Sequence, residues 1–317
     1  MDNKRVNKPL SIFFVLMAFF LFTLSIATAH PASGIVVDPE GHVFFIYTGH
    51  GVCRLDTLGR LNYVHRSRGG HWMCLDAAGV FSRSQPKYFD RITPAGTTPA
   101  ILFADGGAPL VVNTDGNLYY GCNPANDMEM PPGGLTVSQM SVDGRLSEFA
   151  PSLKTALGKI NQGVTGLAAG PGGVIYVASP SAIYKVKTNG TVSLFVSPVV
   201  AEDCDADPAD HNPSNPLPYL RGLAVNSEGT VYAAGTSCHR VLKITSDGHV
   251  EGVLKAERPW SPTGVALLGN DLYVLEYTGA NGGSDEGWLP RVRKRAPDGK
   301  VTTLVTITSE TNISTER

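Results

Sequence analysis

The stretch Gly222 to Gly248, GLAVNSEGTVYAAGTSCHRVLKITSDG, sets an apolar run, a polar corner with Gly, a second apolar run, a small-residue gap, an alternating segment and an Asp-Gly turn in fixed order. Apolar runs this short, separated by Gly-containing corners, predict a four-stranded antiparallel meander.

The same order recurs from Gly34, Trp72, Leu110, Gly166 and Gly264, so the chain holds six copies whose starts lie 38, 38, 56, 56 and 42 residues apart. A lone four-stranded sheet cannot bury both faces, whereas six packed radially can. The expected fold is therefore all-β, a six-bladed β-propeller of four-stranded antiparallel blades. Each blade takes its four strands from one repeat, which predicts that no strand is borrowed between the termini and that blades one and six are the least protected from hydrogen exchange. Helical periodicity is confined to Leu153 to Ile160, expected as one short helix.

Of 317 residues, 42% are hydrophobic and 17% charged, with 35 Gly and 22 Pro, as suits one large turn-rich domain. A formal charge of −2 leaves no basic footprint for nucleic acid. Lys4, Arg5 and Lys8 precede an apolar run from Leu10 to Ile26, and Ala27-Thr28-Ala29 follows with the small residues of a cleavage site. Residues 1–29 are thus expected to be a signal peptide, 30–308 the propeller and 309–317 a C-terminal tail, in a secreted or periplasmic protein. A membrane is a partner only if that segment stays uncleaved as an anchor. An oxidising compartment allows disulfides among Cys53, Cys74, Cys122, Cys204 and Cys238. Cys53 and Cys74 fall in expected strands and fit as small buried residues.

With strands numbered outward from the channel, the first-to-second and third-to-fourth turns share one face and are uniformly short. The opposite, upper face carries the long insertions at 123–134, 151–163, 198–218 and 277–289. Loops that grow on one side of a scaffold build a binding surface. A bridge between Cys204 and Cys238 would pin the longest insertion to its neighbour, while unrelated thiols fit the spacing equally well. Within that insertion, alternate carboxylates at Asp203, Asp205 and Asp207 fit the start of a calcium loop, although Pro208 stands at the turn Gly and Ser214 at the closing Glu.

The segment Val231 to Gly248 resembles the NHL repeat, with Cys238, His239, Arg240 and Val241 at the places of its Asn-His-Arg-Val core. The resemblance extends over all six copies and implies that His239 is a scaffold residue. NHL-like propellers include binding modules, lactonases of the gluconolactonase group, strictosidine-synthase-like proteins and a zinc-dependent amidating lyase, and their chemistry sits where first strands meet the channel. Those positions here are Ser33, His71, Ala108, Thr165, Arg221 and Thr263. The lyase would need three histidines among them, and the lactonases a Glu, an Asn and an Asp; neither set is complete. A second ring, at the second-strand ends, adds Tyr47 and Glu276, the latter a candidate oxygen ligand. His71, Arg221, Glu276 and Tyr47 are therefore the candidate catalytic or binding residues, with Arg221 and Glu276 alternatively paired across the channel. The sequence favours a binding module taking a small molecule or a protein at the upper face. The alternative is a metal-assisted lactonase, hydrolase or lyase at the channel mouth, with a divalent cation such as calcium.

Overall fold

The computed structural model describes residues 31–315, apart from 77–78, 80, 82–88, 95–98, 106–107, 123–135, 159–162, 203, 205–217 and 279–287. The expected signal peptide lies outside the described residues, among which no helix is long and apolar enough to cross a membrane.

Blade one comprises β1 (Ile35–Val37), β2 (Val43–Tyr47), β3 (Gly51–Leu55) and β4 (Leu61–His65), and blade two β5 (Gly70–Asp76), β6 (Phe89–Ile92) and β7 (Ala100–Asp105). Blade three holds β8 (Leu110–Val112), β9 (Leu118–Cys122), β10 (Thr136–Met140) and β11 (Leu146–Glu148), followed by the one α-helix among the described residues, α1 (Pro151–Gly158). Blade four is β12 (Gly166–Ala169), β13 (Ile175–Ala178), β14 (Ile183–Val186) and β15 (Val192–Val196); blade five is β16 (Leu220–Val225), β17 (Val231–Gly235), β18 (Arg240–Ile244) and β19 (Val250–Lys255). Blade six is β20 (Trp260–Leu268), β21 (Asp271–Thr278), β22 (Pro290–Arg295) and β23 (Val301–Thr306). The inner strands β1, β5, β8, β12, β16 and β20 touch in turn and close the ring. The sequence periodicity thus yields the six-bladed propeller it predicts.

Each blade packs on two neighbours, so its second strand is apolar on both faces. Every residue of β2, Val43 to Tyr47, is buried, as is every residue of β13. Core clusters accordingly bridge adjacent sheets: Tyr119, Phe149, Leu167 and Ile175 join blades three and four, and Tyr176, Leu223 and Val231 join four and five. The lower-face corners are held by side chains rather than by packing. Asn226 Oδ1 accepts from the Glu228 and Thr230 amides at 3.1 and 2.9 Å, and Asn113 Oδ1 repeats this with Asp115 and Asn117 at 3.1 and 2.9 Å.

Two features depart from the expected meander. Blade two orders its described strands β5-β7-β6, placing the later strand inside. Ala100, Ile101, Leu102 and Phe103 of β7 are all buried, whereas β6 carries the exposed Asp90, so the run with two apolar faces takes the interior and the mixed one the edge. Secondly, the chain does return to its starting blade. Ser314 and Thr315, within the segment expected as a tail, form β24 and pair parallel with Asn62 and Tyr63 of β4. Blade one is therefore a five-stranded sheet, anchored further by the buried Ile313. Packing alone does not close the ring, contrary to the expectation that no strand is borrowed between the termini.

Inner strands approach so closely at the channel that a side chain has no room. A methyl on Gly222 would lie 2.7 Å from Gly264 Cα and 3.0 Å from the Thr263 carbonyl oxygen, and one on Gly264 would overlap the Ser33 carbonyl. Gly222→Ala is expected to cost roughly 1–3 kcal/mol, the range for overpacking a rigid core, read as a lowered Cm in urea unfolding. Gly235→Ala, where the new methyl would meet neighbours at no less than 3.4 Å, should leave it nearly unchanged. Deleting residues 312–317 is expected to raise hydrogen exchange in β4 while leaving blades three to five protected.

Candidate functional site

Three of the six channel-mouth residues sit at β-bulges. The register of β5 on β7 skips His71, that of β16 on β17 skips Arg221 and Gly222, and that of β20 on β21 skips Thr263. An extra residue on one strand leaves the ladder and re-aims its side chain. The bulges thus release these groups at the upper end of the inner strands, just where the glycines crowd the backbone.

The N-terminal lead into β1 crosses this mouth. Arg221 Nη2 donates to the Pro31 carbonyl at 2.6 Å, and Thr263 Oγ1 donates to the Ala32 carbonyl at 2.7 Å. Ala32 N donates to Thr48 Oγ1 at 2.9 Å, and the Ser33 and Gly34 amides both reach the His71 carbonyl at 3.0 Å. Thr48 donates in turn to the Tyr277 hydroxyl through Oγ1 at 3.2 Å, while that hydroxyl donates to the Ile46 carbonyl. Burial lowers the Arg221 pKa and raises that of Tyr277, and the phenol oxygens of Tyr219 and Tyr277 act on the guanidinium. The mouth is consequently a hydrogen-bond donor site for carbonyl oxygen, held by the chain's own backbone.

The four candidate residues do not form one ring. Glu276, fully buried, faces β22, where Arg291 Nε donates to Oε2 at 2.6 Å and Arg293 Nε to Oε1 at 2.9 Å. Arg293 also donates to the Lys255 carbonyl at 2.8 Å, and the Arg291 guanidinium lies 4.4 Å from the Trp260 ring. Both carboxylate oxygens are engaged by these arginines rather than by Arg221, and through Arg293 and the Lys255 carbonyl Glu276 clamps blade six to blade five. Tyr47 stacks on His50 at 3.9 Å, and burial raises its pKa. His71 and Arg221 remain at the mouth. Glu276 reads in sequence as an acidic ligand because its partners lie 15 and 17 residues downstream; the alternating arginines of PRVRKR were the available signal.

The disulfide joins Cys204 to Cys238 with Cα atoms 5.1 Å apart, closing a sequence separation of 34 residues. At the other end of this insertion, the Pro218 and Tyr219 carbonyls accept from the Ser237 and Thr236 amides at 3.1 Å each. Both ends of the longest insertion are thus fixed to one loop of blade five. Tyr219 and His239 hold left-handed backbone, at φ of 48° and 53°, in these two anchoring segments. His239 Nδ1 lies 2.8 Å from the Trp260 carbonyl oxygen and 3.0 Å from Ser261 Oγ, so it ties blade five to blade six as a scaffold residue. Cys53 and Cys74 are free and buried, and burial raises both thiol pKa values. Asp203, Asp205 and Asp207 lie outside the described residues.

The implied metal sets do not fit the mouth. One imidazole, one guanidinium and the hydroxyls of Ser33, Thr165 and Thr263 supply neither three imidazoles for zinc nor the carboxylate set of a calcium site. Among the described residues, one group of potential ligands comes together, Asp38, Glu40 and His42, and it is on the lower face. There His42 Nδ1 donates to Asp38 at 2.7 Å and Nε2 accepts from Arg54 at 3.2 Å, which uses both ring nitrogens within the fold.

No family model and no curated protein matches the sequence. Solved structures do match. A putative gluconolactonase superposes with a TM-score of 0.53 at 16% identity, over 78% of this chain and 86% of that one. A luciferin-regenerating enzyme gives 0.51 at 14%, over 92% and 98%. A gluconolactonase from Xanthomonas campestris gives 0.50 at 14%, over 78% and 83%. The class this defines is a fold class, the six-bladed propeller shared by lactonase-type proteins, in line with the resemblance of the repeats.

Glu276→Ala leaves Arg291 and Arg293 facing each other in a half-buried site. It is expected to destabilise the protein by about 3 kcal/mol, as removal of one member of a buried ion pair does. Chemical denaturation measures this, and Glu276→Gln should recover part of the loss by keeping a hydrogen-bond acceptor.

Proposed function

We propose that the protein is an exported binding module that takes a small molecule or a protein on its upper face, at the rim formed by blade five and the mouth of the channel. The observation that carries this is the double anchoring of the longest insertion. The Cys204–Cys238 disulfide and the hydrogen bonds at Pro218 and Tyr219 fix the residues flanking 205–217 to one loop of blade five. Fixed attachment points of this kind lower the entropy cost of binding. The left-handed Tyr219 and His239 fit the same purpose, since strained backbone persists where surrounding structure holds it for function.

Three side chains give the rim its chemistry. Arg221 and Thr263 donate to the Pro31 and Ala32 carbonyls, while Thr48 Oγ1 accepts from the Ala32 amide, so a ligand that displaces this segment presents carbonyl or carboxylate oxygens to the first two and a donor to the third. A second reading, a metal-assisted lactonase, hydrolase or lyase, is supported by the fold shared with a putative gluconolactonase. It requires a cation held outside the residues at the mouth, with Asp203, Asp205 and Asp207 as its oxygen donors.

Replacing residues 205–217 by a short Gly-Ser linker is expected to abolish capture from a panel of lactones, sugar acids and peptides, with cooperative unfolding retained. Unchanged capture removes the upper face from consideration. Cys204→Ser with Cys238→Ser should weaken capture and lower stability by about 3–4 kcal/mol on the loop-entropy relation. Stoichiometric calcium in the purified protein, lost in Asp205→Ala, together with lactone hydrolysis, would transfer the assignment to the enzyme reading.

A further inference from the structure

The lower face of the propeller carries a groove of about 450 Å³ between blades five and six, in the size range of small-ligand sites. It is bounded by the corner Asn226 to Thr230, by Tyr232 and Lys243, by Glu251 and Gly252 of β19, and across the gap by Asn270 and Arg295. No residue of the upper-face site contributes to it.

Its walls hold more hydrogen-bonding capacity than the fold consumes. Lys243 Nζ and Glu251 Oε1 pair at 2.7 Å, each holding the other charged, and Arg295 stands beside them. The hydrogen bond recorded for the Arg295 guanidinium is a long one, 3.5 Å from Nη1 to the Ala296 carbonyl. Asn226 spends its carbonyl oxygen on the corner and keeps its amide hydrogens. Among the described residues, the side chains of Tyr232, Asn270 and Glu228 make no hydrogen bond to the protein, and Glu228 and Asn270 are exposed. Apart from the Lys243–Glu251 pair, the groove therefore lines donors and acceptors that leave hydrogen-bonding capacity unspent.

The charges decide the ligand class. Lys243 and Arg295 balance Glu228 and Glu251, so an ionic ligand meets as much repulsion as attraction. Apolar ligands would strip water from these groups without replacing its hydrogen bonds. Planar amide, carboxylate and guanidinium groups, which present paired donors and acceptors, match adjacent hydroxyls, and the half-buried Tyr232 ring offers an apolar wall. We propose that this groove is a second binding site, for a neutral polyhydroxylated ligand of saccharide type.

Saturation-transfer NMR with methyl glucoside, maltose and N-acetylglucosamine tests this on the full protein. At least one of these neutral sugars should bind saturably, with affinity falling about tenfold, one decade of the dissociation constant, in Arg295→Met and in Asn270→Ala. Asn270 is an exposed corner residue, so its variant keeps the fold even if Arg295→Met does not, and urea unfolding checks both. Replacement of residues 205–217 should leave this binding intact, which separates the groove from the upper face. Absence of saturable binding by all three sugars, binding indifferent to Asn270→Ala, or tighter binding of glucuronate or glucosamine would overturn the proposal.

Discussion

The dimension on which everything else depends is the separation of the inner strands around the channel. Five of the six inner strands begin at or near a glycine, Gly34, Gly70, Gly166, Gly222 and Gly264, and at each a Cβ would run into a neighbouring strand or side chain. Backbone meets backbone there, Gly222 against Gly264 and Gly166 against the Arg221 carbonyl. With no side chain able to sit at that level, the functional groups of the mouth must come from residues pushed out of the ladder. The bulges at His71, Arg221 and Thr263 follow from this crowding. Site and scaffold are thus two outcomes of one steric constraint.

Much of the architecture was legible because it is written in local patterns: alternation, Gly corners and a recurring period. The glycines opening four repeats were visible too, although only the structure shows that they set the channel width. Blade two was misjudged in strand order because spacing alone ranks strands by sequence, whereas burial ranks them by apolarity, and AILF outranks FDRI. β24 escaped notice since two residues, Ser314 and Thr315, carry no periodicity.

The site was legible in part. The sequence placed His71, Arg221 and Thr263 just before apolar runs, and at these three of the six positions the strand carries a bulge. The partners of Glu276 were not legible, because a carboxylate's partners depend on strand register, which brings Arg291 opposite it and Arg293 beside it. A buried carboxylate flanked by two guanidiniums is costly to desolvate and strongly held once paired. It specifies how blade six meets blade five, through the Lys255 carbonyl and the Trp260 ring, where the outer strand of blade five turns into the inner strand of blade six. The disulfide lay within reach of the sequence because both cysteines fall on loops of one rim.

Because β24 lies on the outer edge of blade one and β1 on its inner edge, both ends of the described chain terminate on a single sheet. Four strand spacings separate those edges, about 19 Å. A load applied between the two ends would be borne first by that one sheet and by the contacts of the N-terminal lead, which reach Arg221 of blade five and Thr263 of blade six. The parallel clasp that closes the ring makes blade one the mechanical mount of the molecule.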